Sequence, residues 1–175
     1  RTAGLMLTLR VLAPPDRPVL LPSFTFSASA HAVGWNGLVP RFADCDERTF
    51  HLDPHDAESR LGDAGTIMPT HLFGAPCAAE RFETLARRSG AALQFDAAHG
   101  FGATRQGRAV GGWGDAEVFS LSPTKVLTAG EGGLVATPHD EVALSLRNGR
   151  DYGNSYLQAL IVAAQGMGLG SFFQQ

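Results

Sequence analysis

Leu93-Gln94-Phe95-Asp96-Ala97-Ala98-His99-Gly100 and, after a glycine-rich turn, Ala116-Glu117-Val118-Phe119-Ser120-Leu121-Ser122-Pro123-Thr124-Lys125 decide the fold. Each begins with a short apolar run that reads as a buried strand, and each then gives way to small and polar residues. Asp96 closes the first run; Lys125 lies in the loop after the second. In open α/β sheets, ligands collect beyond the carboxyl ends of the strands. Two strands would therefore deliver a carboxylate and an amine to one ligand-binding edge.

A pyridoxal phosphate (PLP) enzyme needs this pair. Its lysine amine holds the cofactor aldehyde as a Schiff base, and a carboxylate keeps the pyridine nitrogen protonated so that the ring can accept electrons. Ser120 is placed to hydrogen-bond the cofactor phosphate. Taken singly, a surface lysine and a strand-end aspartate would call for no such explanation. The combination is more specific than its parts.

Asp96-Ala97-Ala98-His99-Gly100, Phe119-Ser120-Leu121-Ser122-Pro123-Thr124-Lys125 and Gly130-Glu131-Gly132-Gly133, with Leu21-Pro22-Ser23-Phe24-Thr25-Phe26 upstream, resemble the DegT/DnrJ/EryC1/StrS family. The resemblance covers most of the chain from Thr2 to Gly153. It implies a fold type I PLP-dependent large domain, three-layer α/β/α with a mostly parallel central sheet. It further implies transfer of an amino group from an amino acid, glutamate by expectation, to a nucleotide-linked keto sugar. Lys125 and Asp96 would be the catalytic pair. Phe26 would stack on the pyridine ring, and His99 would lie near its phenolic oxygen. Thr2 matches a family threonine at the helix terminus that holds the cofactor phosphate, whereas Arg1 stands where the family usually has glycine. Sugar dehydratases of the same family typically replace the lysine with histidine, so Lys125 argues against that alternative. A second alternative is an inactive family-like regulator.

Strand–helix alternation along the rest of the chain agrees with a layered α/β sheet. Leu5, Leu9 and Leu12 have helical spacing over residues 2–12, ended by Pro14, Pro15 and Pro18. Val19-Leu20-Leu21 is a short strand, and a helix is expected from Ser23 to Val33. Leu38-Val39-Pro40-Arg41-Phe42 and the stretch from Thr66 read as further strands. The latter ends in His71-Leu72-Phe73-Gly74, where His71 either faces the active site or is a hydrogen-bonded structural histidine. Ala78 to Ser89 is an amphipathic helix stopped by Gly90. His51-Leu52-Asp53-Pro54-His55 could suggest a metal cluster, but Asp53 and Pro54 read better as a helix cap and first helical residue. No metal site is expected. The glycines between Asp96 and Lys125 form neither a dinucleotide fingerprint nor a phosphate loop, and suit tight turns and a short hairpin. Leu134-Val135-Ala136-Thr137 is a strand, followed by a helix over Glu141 to Arg150.

Hydrophobic residues make up 44% and charged residues 18% of the 175-residue sequence, values that exclude a disordered chain. A formal charge of -3 without a basic tract gives no reason to expect nucleic acid. No apolar run approaches the roughly 20 residues of a membrane span. Cys45 and Cys77 lack metal-type spacing and read as reduced thiols, which points to a cytoplasmic protein. Residues 1–153 are expected to form most of the large domain, cut at its start, with 154–175 departing from the family pattern. The family continues to a smaller C-terminal domain and works as a homodimer, the state expected of the full-length protein.

Overall fold

A computed structural model describes residues 1–152. Its central sheet contains β1 (Val19–Pro22), β2 (Pro40–Ala43), β3 (Thr66–Ile67), β4 (Ala92–Asp96), β7 (Ala116–Ser120) and β8 (Gly133–Ala136). Their spatial order is β2-β1-β3-β4-β7-β8. Five strands run parallel, and β8 alone runs antiparallel, beside β7. This is the mostly parallel sheet expected. The strand order could not be read from sequence, because it depends on long-range pairings. The glycine-rich stretch forms the small hairpin of β5 (Thr104–Arg105) and β6 (Arg108–Ala109), turned by Gln106 and Gly107.

Side-chain alternation builds a core on each face of the sheet. Val19, Leu21, Met68 and Val118 pack against Leu5 and Leu9 of α1 (Thr2–Leu12) and Ala32 and Val33 of α2 (Ser27–Trp35). On the opposite face, Leu20, Ile67, Leu93 and Phe95 meet Ala57 of α3 (Pro54–Arg60) and Phe82, Leu85 and Ala86 of α4 (Ala79–Ser89). α5 (Asp140–Tyr152) packs beside α1. The result is three layers. Phe82 is wholly buried, and truncating such a ring to alanine costs about 3–5 kcal/mol.

The helix ends have local causes. Asp53 Oδ1 accepts the His55 N–H at 2.9 Å, with Pro54 at the first helical position. Gly90 adopts φ +70° and returns its N–H to Ala86 O at 2.8 Å, closing α4. One expectation is corrected: the helix anticipated from Ser23 begins only at Ser27. Phe26 is still extended, at φ -72° and ψ 136°, and serves as the N-cap. Ser23 is instead tied to β2, its N–H donating to Ala43 O at 2.8 Å. The strand expected from Leu38 likewise starts at Pro40.

Among the described residues, no cluster of His, Cys, Asp and Glu is placed to hold a metal ion. None of the described helices is long and apolar enough to cross a membrane. Cys45 and Cys77 are both free thiols, and burial pushes the Cys77 thiol well above its ordinary range. Residues 154–175, singled out as departing from the family pattern, lie outside the described residues.

Candidate active site

The carboxyl ends of β3, β4 and β7 open onto one cleft of about 290 Å³, near the lower limit of small-ligand pockets. Thr2, Phe26, Asp96, His99, Ser120 and Lys125 all line it. All six site residues expected from sequence are thus brought to one place. Because β8 runs antiparallel, its first residue returns to the same edge, with Gly133 opposite Ser120. A Cβ on Gly133 would sit 2.8 Å from Arg1 N and 2.9 Å from both Arg1 Cα and Phe119 O. Only glycine lets the start of α1 approach the β7–β8 edge this closely.

Asp96 is fully buried. Its Oδ1 accepts the Ala98 N–H at 3.2 Å and Arg1 Nε–H at 3.0 Å. Its Oδ2 accepts the Ser29 hydroxyl at 2.6 Å and a second guanidinium N–H from Arg1. The Arg1 Cζ also lies 5.2 Å from the Phe26 ring centroid. One flat cation therefore forms a charge-assisted pair with Asp96 while covering the Phe26 face. Phe26 is otherwise 65% exposed, so its ring is a wall of the cleft rather than a piece of core.

Lys125 is held by its main chain, whose N–H donates to Ser122 O at 3.0 Å. It is also the one lysine in the sequence, a signal the motif alone did not exploit. Ser120 is buried, and its hydroxyl lies 3.2 Å from that of Ser122. His99 accepts the Phe73 N–H at Nδ1 over 3.3 Å. Partial burial lowers its pKa from 6.5, and the Lys125 and Arg1 cations push the same way against the opposing pull of Asp96. His71 borders the same cleft, yet it is fully buried and its ring nitrogens are taken up by structural hydrogen bonds. Its Nδ1 accepts the Cys77 N–H at 3.1 Å, so Nε2 carries the proton toward Glu117 Oε2 at 3.2 Å, deep in the protein.

Two participants were missed from sequence. Ser29 sits inside α2, three residues beyond Phe26, and its only advance signal was a hydroxyl among small apolar residues. Arg1 was noticed only as a departure, whereas its side chain makes the densest set of contacts to Asp96.

A family model described as the DegT/DnrJ/EryC1/StrS aminotransferase family matches residues 1–169. The chain belongs to that family. Aminotransferases of this family depend on pyridoxal phosphate. The chain is 38% identical to GDP-perosamine synthase of Caulobacter vibrioides, an alignment covering 76% of this chain and 36% of that protein. It superposes with a TM-score of 0.82 on the crystal structure of DesI with its TDP-sugar product, at 39% identity, covering 90% of this chain and 40% of the other. NtdA from Bacillus subtilis, with bound cofactor PMP, aligns at 30% identity and a TM-score of 0.77, covering 83% of this chain and 33% of that one. The fold is accordingly that of fold type I PLP-dependent aminotransferases, represented by part of the large domain. The chain spans about 33–40% of the lengths of these three proteins.

Proposed function

We propose that the full-length protein is a PLP-dependent aminotransferase that moves an amino group from an amino acid, glutamate by preference, to a nucleotide-linked keto sugar. The observation that carries this reading is the stand-in cation. Asp96 and Phe26 together hold the planar, positively charged, N–H-bearing guanidinium of Arg1. A protonated pyridine ring would call on the same partners: a carboxylate to accept its N–H and an aromatic face to stack against. The donor set thus fits the cofactor once Arg1 withdraws.

In this reading Asp96 holds the proton on the ring nitrogen, kept in place by Ser29 Oγ and the Ala98 N–H. Phe26 supports the ring, while Ser120 and Thr2 face its phosphate. Lys125 Nζ tethers the cofactor and, once released by the incoming amino acid, moves the proton that leaves the donor Cα. Bound PLP supplies the electron sink for that proton transfer. Residues 1–153 form most of the cofactor-binding domain, and the full-length protein acts as a homodimer in the cytoplasm. Support for pairing comes from the apolar side chains of Phe73, Phe101 and Val126, exposed beside the site.

The test is a half-reaction. The full-length protein loaded with PLP should convert it to the amine form when given glutamate and return it to the aldehyde form when given a nucleotide-linked keto sugar. Conversion with glutamate but no return with any such sugar would sink the substrate assignment. Failure to retain PLP would sink the whole reading.

A further inference from the structure

Leu72, Phe73, Gly74 and Ala75 make a tight turn closed by the Ala75 N–H donating to Leu72 O at 2.8 Å. Both central residues are left-handed, Phe73 at φ 55° and Gly74 at φ 83°, as in a type I′ turn. Glycine suits its position, but a phenylalanine at positive φ is a sterically costly choice. Burial does not explain it, since Phe73 is 71% exposed. Within the closed turn the Phe73 N–H donates to His99 Nδ1, 3.3 Å away, and the Phe73 ring lies beside the imidazole, with centroids 6.1 Å apart and planes 21° from parallel.

A main-chain N–H can only donate, so His99 Nδ1 must present its lone pair, and the proton of the neutral ring must be on Nε2. Among the described residues, Nε2 has no protein partner. His99 stands in the wall between the cleft of Asp96 and a second cleft lined by Phe73, Phe101, Lys125 and Val126. We infer that Phe73 is a positioning residue: its main-chain N–H, held within the closed Leu72–Ala75 turn, fixes His99 as the Nε2–H tautomer, which offers a hydrogen-bond donor to a ligand oxygen at this shared wall. The oxygen belongs to the cofactor or substrate of the proposed function, and only this part of the inference rests on that reading. The ring of Phe73 covers His99 but does not set its tautomer. Acceptor groups on the ligand are favoured, and a ligand donor placed there would face an N–H.

The full-length protein, uniformly labelled with ¹⁵N and free of cofactor, provides the test. A nitrogen–nitrogen scalar coupling across the hydrogen bond should connect the Phe73 amide to His99 Nδ1. Phe73→Gly keeps the N–H and relaxes the backbone, so the coupling should survive although the ring is gone. Gly74→Val, a β-branched residue forced to positive φ, should abolish it. Adding pyridoxamine 5′-phosphate should then slow solvent exchange of the His99 Nε2 proton in the wild type. Absence of the coupling in wild type, or its loss in Phe73→Gly, overturns the positioning role. Cofactor binding that leaves Nε2–H exchange unchanged overturns the donor role. Both results remain distinct from failure of the cofactor to bind, because the coupling is read without it.

Discussion

Replacing Arg1 by glycine should strengthen cofactor binding while weakening the cofactor-free protein. The Arg1 side chain is 10% exposed and the Asp96 side chain 0%, so their pair is largely withdrawn from water. Removing one partner of a buried pair costs about 3–5 kcal/mol. Here the lower part of that range, or less, applies. The pair borders an open cleft, and Asp96 keeps Ser29 Oγ and the Ala98 N–H. A loss of about 1–3 kcal/mol from the cofactor-free form is expected, readable as a lower melting temperature. The same interaction must be broken before a ring nitrogen reaches Asp96, so it is subtracted from the wild-type affinity. At 1.4 kcal/mol per tenfold, Arg1→Gly should bind pyridoxamine 5′-phosphate roughly tenfold to a hundredfold more tightly. That ligand cannot react with Lys125, which makes the titration a pure binding measurement. Weaker binding by Arg1→Gly would overturn this expectation, because it would make the guanidinium a ligand of the cofactor instead of its competitor.

Glu117→Gln should destabilise the protein by about 1–3 kcal/mol in denaturant unfolding. Glu117 Oε1 accepts the Gly111 and Trp113 N–H groups at 2.7 and 2.6 Å, leaving the amide NH₂ to face the Nε2–H of His71. Gly133→Ala should cost about 1–3 kcal/mol by overpacking and should also weaken cofactor binding, since its Cβ would push α1 away from the β7–β8 edge. His99 should titrate below 6.5 in the folded protein, followed by its ring-proton shifts across pH. The sign follows from linkage: the unfolded chain takes up the proton first, so this residue's contribution to stability is complete above the unfolded pKa. It is lost as pH falls through the folded pKa. A folded value at or above 6.5 would contradict the partial burial of the ring and the placement of Lys125 and Arg1 beside it.

Much of the architecture was legible because parallel strands buried on both faces leave short, mostly apolar stretches, such as Leu93 and Phe95 around Gln94 and Val118-Phe119 after Glu117. Punctuation placed the ends: Pro54 opens α3 and Gly90 closes α4. The start of α2 was misplaced because Ser23 and Thr25 have the chemistry of caps, yet the Ser23 N–H is committed to β2 and the Thr25 hydroxyl to those of Ser29 and Thr70. Local preference yielded there to a tertiary hydrogen bond. The residues that gather in the cleft were legible as motif positions, but not their electrostatic couplings. No local pattern announces that Arg1 reaches Asp96, or that the Phe73 N–H meets His99, since each contact joins residues far apart in sequence.

Whether Lys125 carries the cofactor can be read by reductive trapping. The full-length protein is exposed to PLP, reduced with borohydride, digested and mapped by mass spectrometry. Reduction converts a lysine–cofactor imine into a stable secondary amine and so records which nitrogen held the aldehyde. Lys125 lies in the cleft that also contains Asp96, Phe26 and Ser120. A single pyridoxyl group on Lys125 is expected, absent from Lys125→Arg, whose guanidinium stays protonated and cannot form the bond. A pyridoxyl group on any other amine, or none on Lys125 at saturating PLP, would contradict it.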